Sequence, residues 1–469
     1  MHPAQDTFRN HLSNAGEHGG RKWLHPRVIK GSLYRWRTVV AWVLLAALFA
    51  GPFLSYNGHP LFMFNVLERQ FIFFGVTFWP QDFHLMAIGL ITFIVFITLF
   101  TVVYGRVWCG WACPQTIFME MVFRKIEIWI EGDHNRTGGP ARKRLEAAPW
   151  TADKVMKKTA KHAIFFLISF AISNTFLAYI IGKDALLEIV TDNPANHLGG
   201  LASILIFTGA FYVVFAKLRE IVCITICPYG RLQGVLLDKN SIVVAYDDVR
   251  GEPRGKIRKN EAPIQLKGDC IDCALCVHVC PTGIDIRNGT QLECIHCTAC
   301  IDACDSVMDK VGRPRGLIRY DSPAGIQEKK PLRFTGRIMA YSGVLVALIA
   351  VLVFLLVSRT DIETTLLRAP GQLYQHEANG MIANLYTIEL VNKTYRSVPV
   401  QFRLSRPDAV LRMVQPLTEV PANDIAKGVF FILLPEKSIH ESSTKLELEV
   451  ISGNKIIKRS TTSFLGPVN

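Results

Sequence analysis

Eight cysteines in the middle of the chain stand at a spacing that iron–sulfur clusters use. The run "CIDCALCVHVCP" holds Cys270, Cys273, Cys276 and Cys280, and thirteen residues later "CIHCTACIDAC" holds Cys294, Cys297, Cys300 and Cys304. Each run reads C-x2-C-x2-C-x3-C, the bacterial ferredoxin pattern. Three cysteines at this spacing can wrap one face of a cubane, so the fourth ligand comes from elsewhere. In two-cluster ferredoxins the last cysteine of each run serves the other cluster. The expected ligand sets are therefore Cys270, Cys273 and Cys276 with Cys304, and Cys294, Cys297 and Cys300 with Cys280. They would hold two [4Fe–4S] clusters. Zinc knuckles also use C-x2-C pairs, but they rarely need this four-cysteine spacing twice in tandem. Proline follows the first run (Pro281), whereas Asp305 follows the second. His278 and His296 lie inside the runs and are expected to surround the clusters or face solvent, not to bind iron. Two adjacent clusters with no catalytic acid or base beside them make an electron wire.

The other four cysteines form two Cys-x-x-x-Cys-Pro pairs, Cys109 with Cys113 in "YGRVWCGWACPQT" and Cys223 with Cys227 in "REIVCITICPYGR". Each pair follows an apolar run. If a helix continued through the pair, the two thiols would share one face, and proline would place the second cysteine at the last turn. Four such thiols brought together would make a soft site suited to Cu(I), zinc or an iron–sulfur centre. Arg106 and Arg219 stand where they would lower the thiol pKa values. Buried apolar cysteines, acylated juxtamembrane cysteines and a third iron–sulfur cluster remain alternatives.

The elements that must position these residues are membrane helices. The chain has 469 residues, half of them hydrophobic. Five runs, 38–57, 84–104, 162–182, 198–216 and 338–357, contain no Asp, Glu, Lys or Arg. A spanning helix needs about 20 such residues. The segments before and between these runs carry 7, 1, 11, 1 and 19 Lys plus Arg. Basic residues favour the cytoplasmic side, so the alternation predicts an internal N-terminus and internal second and fourth loops. The net charge of +13 is then a matter of topology and gives no reason to invoke nucleic acid. No apolar stretch with a small-residue cleavage site opens the chain, so no removable signal peptide is expected. All twelve cysteines lie between Cys109 and Cys304, on the predicted reducing side, which favours metal ligands over disulfides.

The organisation expected is a basic arm at 1–37, helices one and two within 38–104, a cytoplasmic loop at 105–161, and helices three and four within 162–216. A cytoplasmic segment follows at 217–337, with a ferredoxin core near 262–320, and then a fifth helix at 338–357. The loop holds a candidate helix, "TIFMEMVFRKIEIWIEG". The external segment "HPLFMFNVLERQFIFFGVTFWPQD", with Glu68 and Arg69 at its middle, is expected to lie along the interface with Trp79 near the headgroups. Residues 366–469 alternate like strands, and "SGNK" reads as a hairpin turn. The fold class is a five-helix transmembrane bundle with an inserted two-cluster ferredoxin domain (α+β) and a C-terminal all-β immunoglobulin-like sandwich.

In the order of these parts, and in "CGWACPQT" and "CPYGRLQG", the chain resembles the cytochrome c oxidase accessory proteins called CcoG, FixG or RdxA. The resemblance covers nearly the whole length. It implies a bacterial inner-membrane protein, with a cytoplasmic ferredoxin domain and a periplasmic C-terminal domain. It also implies reduction of Cu(II) to Cu(I) during assembly of cbb(3)-type oxidases, with Cys109, Cys113, Cys223 and Cys227 as the copper-site thiols. Oxidase subunits or copper chaperones and a cytoplasmic electron donor would be the partners. A carrier between quinol and a respiratory reductase, and a structural assembly platform, are the alternative functions.

Overall fold

The computed structural model describes residues 13–14, 20–56, 59–66, 69–135, 139–256, 268–329, 336–371, 373–377, 380–453 and 455–467. Most of the first half of the basic arm, Glu68, and residues 262–267 of the expected ferredoxin core lie outside the described residues. The chain divides into two units. The first comprises residues 1–54, 62–68 and 86–351, and the second residues 55–61, 69–85 and 352–469.

Five helices are long and apolar enough to cross a membrane: Ser32–Phe53, Pro80–Tyr104, Ala152–Ile181, Leu198–Leu218 and Gly336–Val357. Two start well before their uncharged stretch. The first helix proper, Ser32–Ala50, includes Arg35 and Arg37. The third begins ten residues before His162, where the Thr151 hydroxyl caps it by accepting from the Lys154 amide at 3.3 Å. Apolarity marks only the part of a helix that meets hydrocarbon, so its polar extension is invisible to a hydropathy reading.

The first unit has its apolar core where "TIFMEMVFRKIEIWIEG" folds back into the bundle. This segment is helical from Pro114 to Glu131, with a π-helical stretch at Phe118–Phe123. Phe123 stacks on Phe215 at 4.6 Å between centroids and meets Phe165 edge-on at 4.8 Å. Gly132, at φ +89°, ends the segment in a conformation glycine adopts without Cβ strain.

The ferredoxin insert is built on one antiparallel pair, Val243–Tyr246 with Ile318–Asp321. Helix Leu275–His278 carries Cys276 and helix Ala299–Val311 carries Cys300 and Cys304, while the other five cysteines lie in the loops beside them. The longer helix also reaches the membrane bundle. The Asp302 carboxylate accepts from the amides of Leu33 and Tyr34, at 3.3 and 2.7 Å, and so caps the first spanning helix. Gly31 is required there, because a Cβ would fall 2.0 Å from Asp302 Cγ.

The second unit is dominated by two antiparallel sheets. One runs in the order Ile362–Arg368, Met381–Asn392, Ile425–Pro435, Val410–Met413, with Gln375–Glu377 also paired to Met381–Asn392. The other comprises Gln401–Leu404, Ser443–Ser452 and Lys455–Leu465. Alternate side chains, among them Tyr386, Ile388, Phe430, Ile432, Leu448 and Phe464, fill the core between the sheets. The first strand starts at Ile362, before the expected boundary. The Ser452 to Lys455 turn closes the last hairpin, with Gly453 at φ +56°.

Part of the segment between the first two spanning helices is a β-hairpin, Gln70–Phe73 with Val76–Phe78. Phe74 and Gly75 turn it, both with positive φ, as a type I′ turn requires. Tyr395 Oη donates to the Gly75 carbonyl at 2.5 Å, docking the hairpin on the sandwich. Trp79 is buried within the protein and not displayed to a headgroup layer.

Candidate iron–sulfur and thiol sites

One cavity of the insert is lined by Cys270, Cys273, Cys276 and Cys304, with Tyr246, Leu317 and Ile318 among its walls. A second is lined by Cys280, Cys294, Cys297 and Cys300, with Cys276 at its margin. The first seven residues of the two runs share a backbone conformation. Asp272 and Ala274 in the first run, and His296 and Thr298 in the second, all have φ between +51° and +65°. Non-glycine residues rarely take this conformation, and repeated use of it marks a functional constraint. The loop is thereby curled around a central volume.

The donor set suits a [4Fe–4S] cluster. The Cys280 sulfur accepts from the amides of Thr282, Gly283 and Ile284, Cys294 from that of His296, and Cys297 from that of Ala299. Burial pushes the thiols of Cys276, Cys294 and Cys304 up to about 12. Buried sulfurs of this kind ionise readily only against a cationic centre, and backbone N–H groups are the usual neighbours of cluster sulfur. Helix continuity explains Asp305. The Ala299–Val311 helix runs straight through Cys304, where proline would remove an N–H and clash with the preceding turn. The short helix of the first run ends at His278, before Cys280, and Pro281 is tolerated.

His296 is buried. Its Nδ1 accepts from the Arg106 amide at 2.9 Å, and burial, reinforced by the Arg106 charge, lowers its pKa to about 3. It is thus a neutral link between the second run and the first cysteine pair. The backbone carbonyl of His278 accepts from Arg27.

The paired cysteines do not sit on continuous helices. The second spanning helix stops at Tyr104, Gly105 turns at φ +58°, and a short helix, Val107–Trp111, carries Cys109. Cys113 is extended and caps the helix that Pro114 begins. The second motif repeats this. Arg219 turns at φ +52°, π-helical Val222–Ile226 carries Cys223, and Cys227 caps the helix that Pro228 begins. The expectation of i and i+4 thiols at the end of one helix is therefore corrected. Proline, favoured at the first helical position, here opens a new helix.

The expected effect of the two arginines on the thiols is corrected as well. Gly105 and Arg219 each stand four residues before the first cysteine of their pair, so Arg106 has no basic counterpart. Arg106 is buried, with Nε on Gln233 Oε1 at 2.6 Å and Nη2 on the Gly230 carbonyl at 3.1 Å. Arg219 pairs with Glu127. Burial raises the Cys109 thiol despite the Arg106 charge, and pushes the Cys223 thiol up to about 12. Cys109 and Cys223 are thus not low-pKa thiolates.

The structure brings all four thiols together. Cys109 is influenced by Cys113 and Cys227, and Cys223 by Cys109, Cys113 and Cys227. The Cys109 thiol also faces Gln233 Oε1 at 3.4 Å. Among the described residues, no three Cys, His, Asp or Glu side chains are spaced to hold a single bare ion. Gly110, inside the first pair, packs on the ferredoxin run. A Cβ there would lie 2.4 Å from the Ile295 carbonyl oxygen and 2.9 Å from the Cys297 nitrogen. The thiol site therefore abuts the second cysteine cavity.

A 4Fe–4S dicluster domain profile matches residues 218–323, and a 4Fe–4S binding domain profile matches residues 85–132. A profile for the IG-like fold at the C-terminus of FixG matches residues 352–467. Protein RdxB of Cereibacter sphaeroides is 35% identical over 468 residues, covering 94% of this chain and 96% of that protein. The chain belongs to the FixG/RdxA family. Protein RdxA of the same organism is 37% identical, over 79% of each chain. Nitrogen fixation protein FixG of Rhizobium meliloti is 35% identical over 79% of this chain and 77% of its own. A crystal structure of a FixG-related protein from Vibrio parahaemolyticus aligns with 23% of this chain and 97% of that one, at 14% identity and a TM-score of 0.20. The chain is a membrane iron–sulfur electron-transfer protein. Its cofactors are [4Fe–4S] clusters.

The π-helical distortions beside both thiol pairs and the direct contact of Gly110 with the second run had no signal in composition. The repeated Cys-Pro step was the one available clue.

Proposed function

We propose that the protein is a cupric reductase, taking electrons through the two ferredoxin clusters to Cu(II) at the four membrane-edge thiols. The clusters, when bound to the two cysteine sets, supply single electrons. The observation that carries the reading is the packing of Gly110 against Ile295 and Cys297, which sets the thiol site against one end of the wire. The cavity holding Cys270, Cys273, Cys276 and Cys304 would then be the entry side, and the one holding Cys280, Cys294, Cys297 and Cys300 the exit side. Cys109, Cys113, Cys223 and Cys227 would supply the soft donors and would have to draw closer together to hold one copper. Thiolates are soft donors and favour Cu(I) over Cu(II), so the site draws each one-electron reduction forward. Because burial raises the Cys109 and Cys223 thiols, metal binding there must displace their protons. The charge alternation of the loops supports a cytoplasmic insert and a sandwich on the opposite side, where oxidase subunits or copper chaperones would dock. A cytoplasmic donor would feed the entry cluster.

A second reading has its own observation. The 4Fe–4S binding domain profile covers Cys109 and Cys113, so the four thiols would hold a further cluster and pass electrons to another acceptor. Anaerobic Cu(II) titration of the reduced protein separates the two. Copper-dependent cluster oxidation, lost in the Cys109→Ser and Cys227→Ser variants at unchanged iron content, supports the reductase. Loss of iron from those variants overturns it in favour of the further cluster.

A further inference from the structure

A separate cavity lies where the N-terminal arm, the first spanning helix, the helix after Cys113 and the second ferredoxin cavity meet. Four cationic side chains line it, Arg27, Arg37, Arg124 and Lys125, against one carboxylate, Glu120. Arg37 is 4% exposed and Arg124 6% exposed. Arg37 donates through Nε to the Gly110 carbonyl at 2.7 Å, and Arg124 Nε pairs with Glu120 at 3.0 Å. The Nη2 atoms of both guanidinium groups are buried without an acceptor among the described residues. Burial, and then the Arg37 charge, lowers the pKa of Lys125.

Buried charge without a partner is unfavourable enough that it is normally paired or hydrogen-bonded. Excess positive charge around a small cavity therefore calls for an anion. Guanidinium groups present forked donors that match phosphate and other oxyanions. The remaining walls, including Val28, Ile29 and Ile128, are apolar, which suits an ester group beside the charge. Basic pockets at the edge of helix bundles take lipid headgroups in this way.

We propose that this cavity binds one phosphoryl-type oxyanion, carried by an anionic lipid headgroup or a soluble phosphate ester. Pro281 and Ala299 form its far wall. Each is the chain neighbour of a cysteine of the second ferredoxin cavity. A bound anion would thus join the arm, the membrane helices and the insert at one point.

The test uses full-length, cluster-loaded protein, stripped of lipid in detergent. It is titrated separately with phosphatidylglycerol, phosphatidylcholine and inorganic phosphate, with binding read by native mass spectrometry and calorimetry. One phosphatidylglycerol per chain is expected, with phosphatidylcholine far weaker. Arg124→Gln and Lys125→Gln should each weaken binding about tenfold, the loss of one charge-assisted hydrogen bond, at unchanged iron content. Inorganic phosphate bound with the same loss in both variants would keep the oxyanion site and assign a soluble phosphate ester as its source. Absence of saturable binding to either anionic probe overturns the proposal, as does equal affinity in the parent and Lys125→Gln. If Arg124→Gln does not retain iron, the Lys125 variant decides alone.

Discussion

The Arg106 amide donates to His296 Nδ1 across 2.9 Å, tying the turn that precedes Cys109 to the residue that precedes Cys297. Two segments nearly two hundred residues apart are registered by this bond, and Gly110 completes the contact. His296→Ala should leave the Arg106 N–H buried and unpaired, at about 1–3 kcal/mol. Thermal unfolding of the cluster-loaded protein checks the stability. Iron content should stay near that of the parent, since the imidazole is not placed as a ligand.

The two cavities make separable demands on the last cysteine of each run. Cys304→Ser should remove the cluster of the Cys270, Cys273 and Cys276 set and leave the other. Cys280→Ser should do the reverse. Paramagnetic resonance of the reduced variants reads this directly, because loss of one cluster also removes the coupling between two reduced centres. Loss of the same signal from both variants would contradict the assignment.

Acid should loosen the insert through Asp285. Burial alone would raise its carboxyl, but hydrogen bonds from the Arg287 side chain and amide outweigh that and hold it below 3.8. Arg287 Nη2 sits 2.6 Å from Asp285 Oδ2. A depressed folded-state pKa gives stability that is present above the unfolded value and lost as pH falls through the folded one. Iron release should therefore steepen below about pH 4. Asp285→Asn should flatten this dependence while lowering stability at neutral pH.

The sandwich depends on a buried ionic knot. Asp82 is 2% exposed and accepts from Lys393 Nζ at 2.6 Å and Arg359 Nη2 at 2.7 Å. Lys393 also reaches Glu363 at 2.5 Å. Asp82→Asn removes the shared charge from two cations, and breaking a buried pair costs about 3–5 kcal/mol. Calorimetry should show a lowered transition for the sandwich, with the iron–sulfur absorbance unchanged at temperatures below it.

Short-range chemistry was written in the sequence. Uncharged runs announce spanning helices because hydrocarbon admits little else. The C-x2-C-x2-C spacing announces a loop around one cubane, because its geometry is closed within seven residues. Alternation announces the sandwich strands, since side chains on a strand reverse face at every step. Tertiary structure decided what lies between these parts. Gly105 and Arg219 break the chain at matching places, so that each Cys-Pro step opens a helix and does not end one. That change of direction lets two thiol-bearing loops 114 residues apart meet, with Gly110 of the first against Cys297. Burial reversed the expected effect of Arg106, because desolvation of a thiolate outweighs one neighbouring charge. Local pattern names the residues able to carry electrons. Which of them meet depends on helix ends and buried contacts, and those follow from packing that no single stretch of sequence contains.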